Sequence, residues 1–132
     1  MPVSYVYNAE LIRVVDGDSV ILLADLGFNT FQKVNVRIMG VDAPERFTEE
    51  GKIVTQKVIE WFQKYSEIVL FSEKLDKYGR SLGIIQNAER NSLNDYLLKN
   101  WLARPYHGEK RDAWTTSQIN AIREQASLFS PW

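Results

Sequence analysis

The run Val36-Arg37-Ile38-Met39-Gly40-Val41-Asp42-Ala43-Pro44-Glu45 is alternating and apolar, carries one arginine, and ends abruptly in two carboxylates. Side chains alternate along a strand, so Val34, Val36 and Ile38 share one face. Arg37 falls on the other face and is not obliged to join a core. The run predicts a strand over Phe31 to Val41. Pro44 cannot donate to a sheet ladder, so the strand is over by then. Asp42 and Glu45 therefore stand where the chain leaves a rigid scaffold, a frequent place for functional groups.

Upstream, Ser4 to Val15 reads as a first strand, punctuated by Asp16-Gly17-Asp18. Val20 to Leu23 is a short continuous apolar run, as in a buried strand. Asp25 to Thr30, with Gly27 and Asn29, reads as a hairpin turn. These three strands make a meander. Downstream, Thr48 precedes Glu49 and Glu50, acids suited to a first helical turn. Val54, Val58, Trp61, Phe62 and Tyr65 then recur on one helical face. Glu67 to Leu75 returns to strand, the Asp76 to Arg80 loop follows, and Leu82 to Gln86 is strand again. Ser92 and Asp95 form a capping pattern ahead of the stripe Leu93, Leu97 and Trp101. That stripe, like Trp61, is expected in the core. Arg104 to Asp112 reads as a polar loop. Thr115 and Gln118 cap a last helix whose stripe is Ile119, Ile122 and Ala126, and the aromatic tail from Leu128 to Trp132 is expected to dock. The order predicts an α+β chain, mainly β: a five-stranded, partly open OB-fold barrel with three helices, one of them between strands three and four.

The chain has 132 residues, 45% hydrophobic and 25% charged, which suits one domain spanning residues 1–132. It has no cysteine, so thiolate chemistry, disulfides and cysteine zinc sites are excluded. The first residues have neither the basic nor the apolar region of a signal peptide, and no apolar run reaches membrane-spanning length. A cytoplasmic protein that does not engage a membrane is expected, or a secreted one if a leader has been removed. A net charge of −1 argues against coating nucleic acid through bulk positive charge. It leaves room for an enzyme that grips one or two phosphates with local arginines. If the strands pair as expected, Asp16, Asp18, Asp42 and Glu45 gather at one mouth, where like charges repel unless a cation sits among them. His107, the only histidine, reads as a solvated loop residue.

Three stretches in order, Asp16-Gly17-Asp18-Ser19, Arg37 to Glu45, and Asp76-Lys77-Tyr78-Gly79-Arg80, resemble the staphylococcal nuclease (thermonuclease) family. The resemblance runs from about Asn8 to Leu128-Phe129. It implies an OB-fold and calcium-dependent hydrolysis of DNA and RNA with little sequence preference. It implies that Asp18, Asp42 and the backbone carbonyl of Ala43 bind one Ca²⁺ ion, with Asp16 behind them orienting water. A carbonyl ligand is indifferent to its side chain, so alanine at position 43, where the family often has threonine, is harmless. Glu45 matches the catalytic carboxylate that takes a proton from the attacking water or orients it. Arg37 and Arg80 match the guanidinium groups that bracket the phosphate, whose charge grows during attack. Lys77, Tyr78 and Tyr106 match substrate-binding positions, Tyr106 by stacking on a base or bonding to it. Expected substrates are single-stranded DNA and RNA and frayed duplex, acted on by a monomer.

Taken singly, each motif has an ordinary explanation: a tight turn for Asp16-Gly17-Asp18, a surface ion pair for Arg37, a cap for Glu45, a salt bridge to Asp76 for Arg80. A non-catalytic binding module is the competing reading, as in Tudor-type relatives that keep the barrel and lose catalytic groups. Mg²⁺ or Mn²⁺ would also suit carboxylate ligands. Two departures stand out. The hairpin between Asp18 and Arg37 is longer than in the best-known member, and the loop after Glu45 is shorter.

Overall fold

A computed structural model describes residues 5–75, 79–108 and 110–127. The expected meander is β1 (Tyr5–Asp16), β2 (Ser19–Asp25) and β3 (Phe31–Ile38), antiparallel throughout. The β2–β3 hairpin turns through Gly27, Phe28 and Asn29, all at positive φ. Phe28 is wholly exposed at its tip.

The strand expected to run to Val41 stops at Ile38. Met39 and Gly40 make a turn, with Gly40 at φ +82°, and Val41–Asp42 form a separate short strand, β4. The break re-aims the chain so that Asp42 leaves the barrel wall. Helix α1 (Glu49–Lys64) follows, with the Thr48 side chain accepting from the Gly51 amide at its N-terminus. Its buried residues include Val54, Val58, Trp61 and Phe62, the face read from sequence, and Tyr65 is its C-terminal cap.

Strands β5 (Ile68–Leu75) and β6 (Ser81–Asn87) complete the barrel. The order is β1-β2-β3-β6-β5, and β5 pairs back to β1. The barrel is thus closed instead of partly open, because the long, bulged β1 supplies one half to β2 and the other to β5. β3 and β6 are parallel; the other pairs are antiparallel.

Helix α2 (Leu93–Lys99) begins with the Asp95 amide bonded to the Ser92 hydroxyl. It ends earlier than the Leu93, Leu97, Trp101 stripe suggested. Trp101 sits at φ +58° and is 70% exposed, so it is not a core residue. The Leu102 amide bonds to the Leu97 carbonyl and the Trp101 amide to the Leu98 carbonyl, a Schellman ending with tryptophan in the usual glycine position. Leu102, fully buried, takes the core place instead.

The loop expected from Arg104 to Asp112 contains a strand at its start, β7 (Arg104–Pro105), which pairs with β4 so that Arg104 faces Asp42. Helix α3 (Thr116–Ser127) starts with reciprocal bonds between Thr115 and Gln118, as expected. Its Ile122 is fully buried and joins the core shared by the barrel, α1 and α2. The expected docking of the tail from Leu128 onward lies outside the described residues. Among the described residues no helix is long and apolar enough to cross a membrane.

Candidate active site

The site is assembled where the β1–β2 turn meets the end of β3 and strand β4. Gly17 lets that turn sit against α1: a Cβ there would lie 2.4 Å from Val54 Cγ1 and 3.0 Å from Ala43 Cβ. Close packing brings Asp18 under the β4 exit. Its carboxylate accepts from the Ala43 amide at 2.9 Å and from the Ser19 hydroxyl at 3.2 Å.

Arg37 pairs across the sheet with Ser19, beside Asp18. Sequence placed it on the face opposite Val34, Val36 and Ile38, not obliged to join the core. It is on that face but covered, with 5% exposure. The Tyr106 loop folds over it, with the guanidinium carbon 5.9 Å from the ring centroid. Its Nη1 lies 3.5 Å from an Asp18 carboxylate oxygen and donates to the Asp18 and Ile38 carbonyls at 3.3 and 3.1 Å. Its Nη2 is buried without a hydrogen-bond partner among the described residues. A buried donor left unsatisfied costs roughly 1–3 kcal/mol, so such an atom asks for an acceptor.

Asp42 is nearly inaccessible and faces two arginines that the sequence reading did not select. Arg104 approaches one carboxylate oxygen with Nε at 3.0 Å and Nη2 at 2.9 Å. Its guanidinium stacks 4.1 Å from the Trp114 centroid and donates to the Asp112 carbonyl. Arg111 lies 3.7 Å from the other oxygen and 5.1 Å from the Tyr106 centroid. Burial works against the Arg111 charge, but a hydrogen bond with Tyr106 and the Asp42 and Asp18 carboxylates outweigh it and raise its pKa. No spacing rule links positions 42, 104 and 111. The one available signal was the excess of arginine in a loop already holding Tyr106.

Of the four carboxylates expected at one mouth, Asp16 and Asp42 lie close enough to act on Asp18, while Glu45 stands exposed. Among the described residues no group of three or more acids or histidines converges in a metal cage. Three of the four acids have a donor of their own. Asp16 accepts from the Arg46 amide at 3.0 Å, Asp18 from Ala43 and Ser19, and Asp42 from Arg104. Like charges are nonetheless close enough to matter. Burial raises the pKa of Asp18 most, Arg37 and the Ala43 amide oppose it, and Asp42 and Asp16 push it further up.

Glu45 is exposed at the rim. Its backbone is fixed, because its carbonyl accepts from the Thr48 amide at 3.0 Å and the Thr48 hydroxyl at 2.7 Å. Arg80 is half-buried just before β6, whose Ser81 and Leu82 lie beside Val36 and Arg37. Arg37 thus lies on β3 and Arg80 directly ahead of its parallel neighbour β6. Lys77 and Tyr78 lie outside the described residues. His107 is exposed, as expected.

One positioning residue was also missed. Asn94 of α2 is buried, donates to the Met39 and Gly83 carbonyls at 2.8 and 3.3 Å, and accepts from the Ile85 amide at 3.2 Å. It ties α2 to both the β3–β4 turn and β6, and so fixes the turn that aims Asp42. The Tyr106 amide bonds to the Gly40 carbonyl at 3.0 Å on that same turn.

Comparison with known proteins gives the same direction. Residues 35–130 match the family described as Staphylococcal nuclease homologue. The chain is 24% identical to the micrococcal nuclease of Shigella flexneri, over 96% of this chain and 79% of that protein. It is 23% identical to an uncharacterized endonuclease of Escherichia coli O157:H7, over 95% of this chain and 82% of that protein. A shorter stretch is 36% identical to protein ParB of Escherichia coli, over 59% of this chain and 41% of that protein. A closed barrel with three helices among the described residues, Asp18, Asp42 and their arginines gathered at one exit, and a match across most of its length place this chain in the staphylococcal nuclease homologue family, a family of nuclease hydrolases.

Proposed function

We propose that this chain is a calcium-dependent phosphodiesterase that hydrolyses single-stranded DNA and RNA and frayed duplex, acting as a monomer. The observation that carries the reading is the Arg37–Asp18 pair. A covered guanidinium is anchored through Nη1, while Nη2 has no partner among the described residues. A phosphate oxygen supplies the missing acceptor, and a planar guanidinium fork suits it.

The donors near Asp18 fit a hard divalent cation. They are oxygens only, and the Asp18 carboxyl, raised by burial and by two neighbouring acids, is the group a cation would relieve. Asp18, Asp42 and the Ala43 carbonyl would hold it. Bound there, it would act as a Lewis acid on the phosphoryl group.

The remaining tasks fall to the chain's own residues. Arg37 holds the phosphate and, with Arg80 just ahead of the next strand, meets the charge that develops on its oxygens. Glu45, exposed at the rim, takes the proton of the attacking water. Asp16, fixed by the Arg46 amide, orients that water. Tyr106 covers Arg37 and offers its ring to a base. Lys77 and Tyr78 remain assigned to substrate phosphate by resemblance. Single strands are favoured because an OB-type surface suits splayed bases and a net charge of −1 attracts duplex phosphates weakly.

The test is incubation with single- and double-stranded DNA and RNA in Ca²⁺, Mg²⁺ or excess chelator. Cleavage is expected with Ca²⁺, faster on single strands, and absent with chelator. Undiminished cleavage in chelator would refute the metal assignment. A folded protein that binds oligonucleotides and cleaves none under any condition would establish the non-catalytic module instead.

A further inference from the structure

The two arginines on Asp42 are held very differently. Arg104 touches one oxygen through two nitrogens, stacks on Trp114, bonds to a backbone carbonyl, and has a side chain only 17% exposed. Arg111 approaches the other oxygen through a single nitrogen at 3.7 Å, beyond hydrogen-bond length, and its side chain is 50% exposed. Arg104 is a fixed strut; Arg111 hydrogen-bonds the Tyr106 side chain and leans only weakly on the oxygen that Arg104 leaves open.

We infer that Arg111 is a displaceable counter-ion of Asp42, which yields that oxygen to a divalent cation and then turns onto the substrate phosphate. The inference rests on the reading of Asp18 and Asp42 as cation ligands. A cation at the open oxygen would use the lone pairs that face Arg111, and it would repel the guanidinium. A weak, half-exposed ion pair opposes this exchange little. The side chain has a nearby destination. Tyr106 carries Arg111 at 5.1 Å and Arg37 at 5.9 Å from its ring centroid, so both guanidinium groups gather about one aromatic ring. An oxyanion bound by Arg37 would sit beside the same ring that Arg111 already contacts. The same residue therefore opposes the metal and favours the nucleotide, which makes the two ligands mutually dependent.

The full chain and its Arg111→Gln variant are titrated calorimetrically, first with CaCl₂ alone, then with a non-cleavable mononucleotide carrying a terminal phosphate at saturating Ca²⁺. Arg123→Gln is the control, since Arg123 is equally exposed and pairs with Glu49 on α1, outside the Asp42 cluster. Arg111→Gln is expected to bind Ca²⁺ about two- to five-fold more tightly, the scale of a partly exposed ion pair. It is expected to bind the nucleotide about ten-fold more weakly, the scale of a lost charge-assisted hydrogen bond. Arg123→Gln should change neither. Opposite signs in one variant are not produced by loss of structure, which weakens both ligands. Unchanged or weaker Ca²⁺ binding by Arg111→Gln, unchanged nucleotide binding, or an equal Ca²⁺ effect in Arg123→Gln overturns the inference while the metal site stands. If the folded wild type binds no Ca²⁺, the metal reading and the inference fall together.

Discussion

Gly51 lies in the first turn of α1, buried against the loop that carries Glu45. A Cβ at that position would stand 1.7 Å from the Glu45 carbonyl oxygen, 2.5 Å from its carbon and 2.8 Å from the Thr48 hydroxyl. Gly51→Ala therefore forces the Glu45 backbone to retreat by more than 1 Å merely to reach the 3.0 Å below which real contacts are essentially never seen. In an unconstrained helix the same change would stabilise by about 0.8–1 kcal/mol. Here it strains the bonds from the Thr48 amide and hydroxyl to the Glu45 carbonyl, together with the Thr48 cap on the Gly51 amide. Such bonds contribute roughly 0.5–1.5 kcal/mol each, and a cap about 1 kcal/mol. The net expectation is a loss of about 1–2 kcal/mol after the helix gain is subtracted. The larger effect falls on turnover. A catalytic group displaced by about 1 Å can cost roughly 10²-fold. Denaturant melts, turnover on a single-stranded substrate, and calorimetric binding of a non-cleavable nucleotide separate these effects. Stability should drop modestly, turnover should collapse, and nucleotide affinity should stay near wild type, because Arg37 and Asp18 are anchored elsewhere. A variant that is fully active and more stable than wild type by about 1 kcal/mol, as for an ordinary helical glycine, would show that Gly51 does not hold room for the Glu45 carbonyl.

Two further outcomes follow from the same geometry. Glu45→Gln keeps the shape of an exposed side chain but cannot take a proton, so turnover should fall by roughly 10²- to 10⁴-fold with folding and nucleotide binding intact; near-normal turnover would remove Glu45 from the chemistry. The Asp18 carboxyl is raised above its ordinary 3.8, by burial foremost. The folded chain then binds more protons than the unfolded one, so ionised Asp18 costs stability at neutral pH, and that cost fades as pH falls through the raised value toward about 3.9, the unfolded pKa. Asp18→Asn should accordingly melt at or slightly above wild type at neutral pH without metal, with the difference shrinking across that window, while Ca²⁺ no longer raises its melting temperature. Strong destabilisation of the metal-free variant would make Asp18 a structural turn residue.

The sequence by itself determined whatever depends on neighbours along the chain. Alternation in Phe31 to Ile38, the period of Val54, Val58, Trp61 and Phe62, and the caps at Thr48, Ser92 and Thr115 set the elements and their order. These features are legible because backbone hydrogen bonding and side-chain direction repeat with fixed local periods. The order of motifs likewise marked Asp18, Arg37, Asp42, Glu45 and Arg80 as residues to watch. What a residue does once the chain closes was decided elsewhere. Arg37 is covered because a loop some seventy positions later returns over it, held by the bond from the Tyr106 amide to the Gly40 carbonyl. Asp42 meets Arg104 because two-residue strands pair across the fold, too short to leave a pattern. Trp101 continued the helical stripe on paper, yet the chain entered a left-handed turn and Leu102 filled the core in its place. Local period fixes which way a side chain leaves its own element; only packing against distant elements decides whether water, an arginine or the core awaits it.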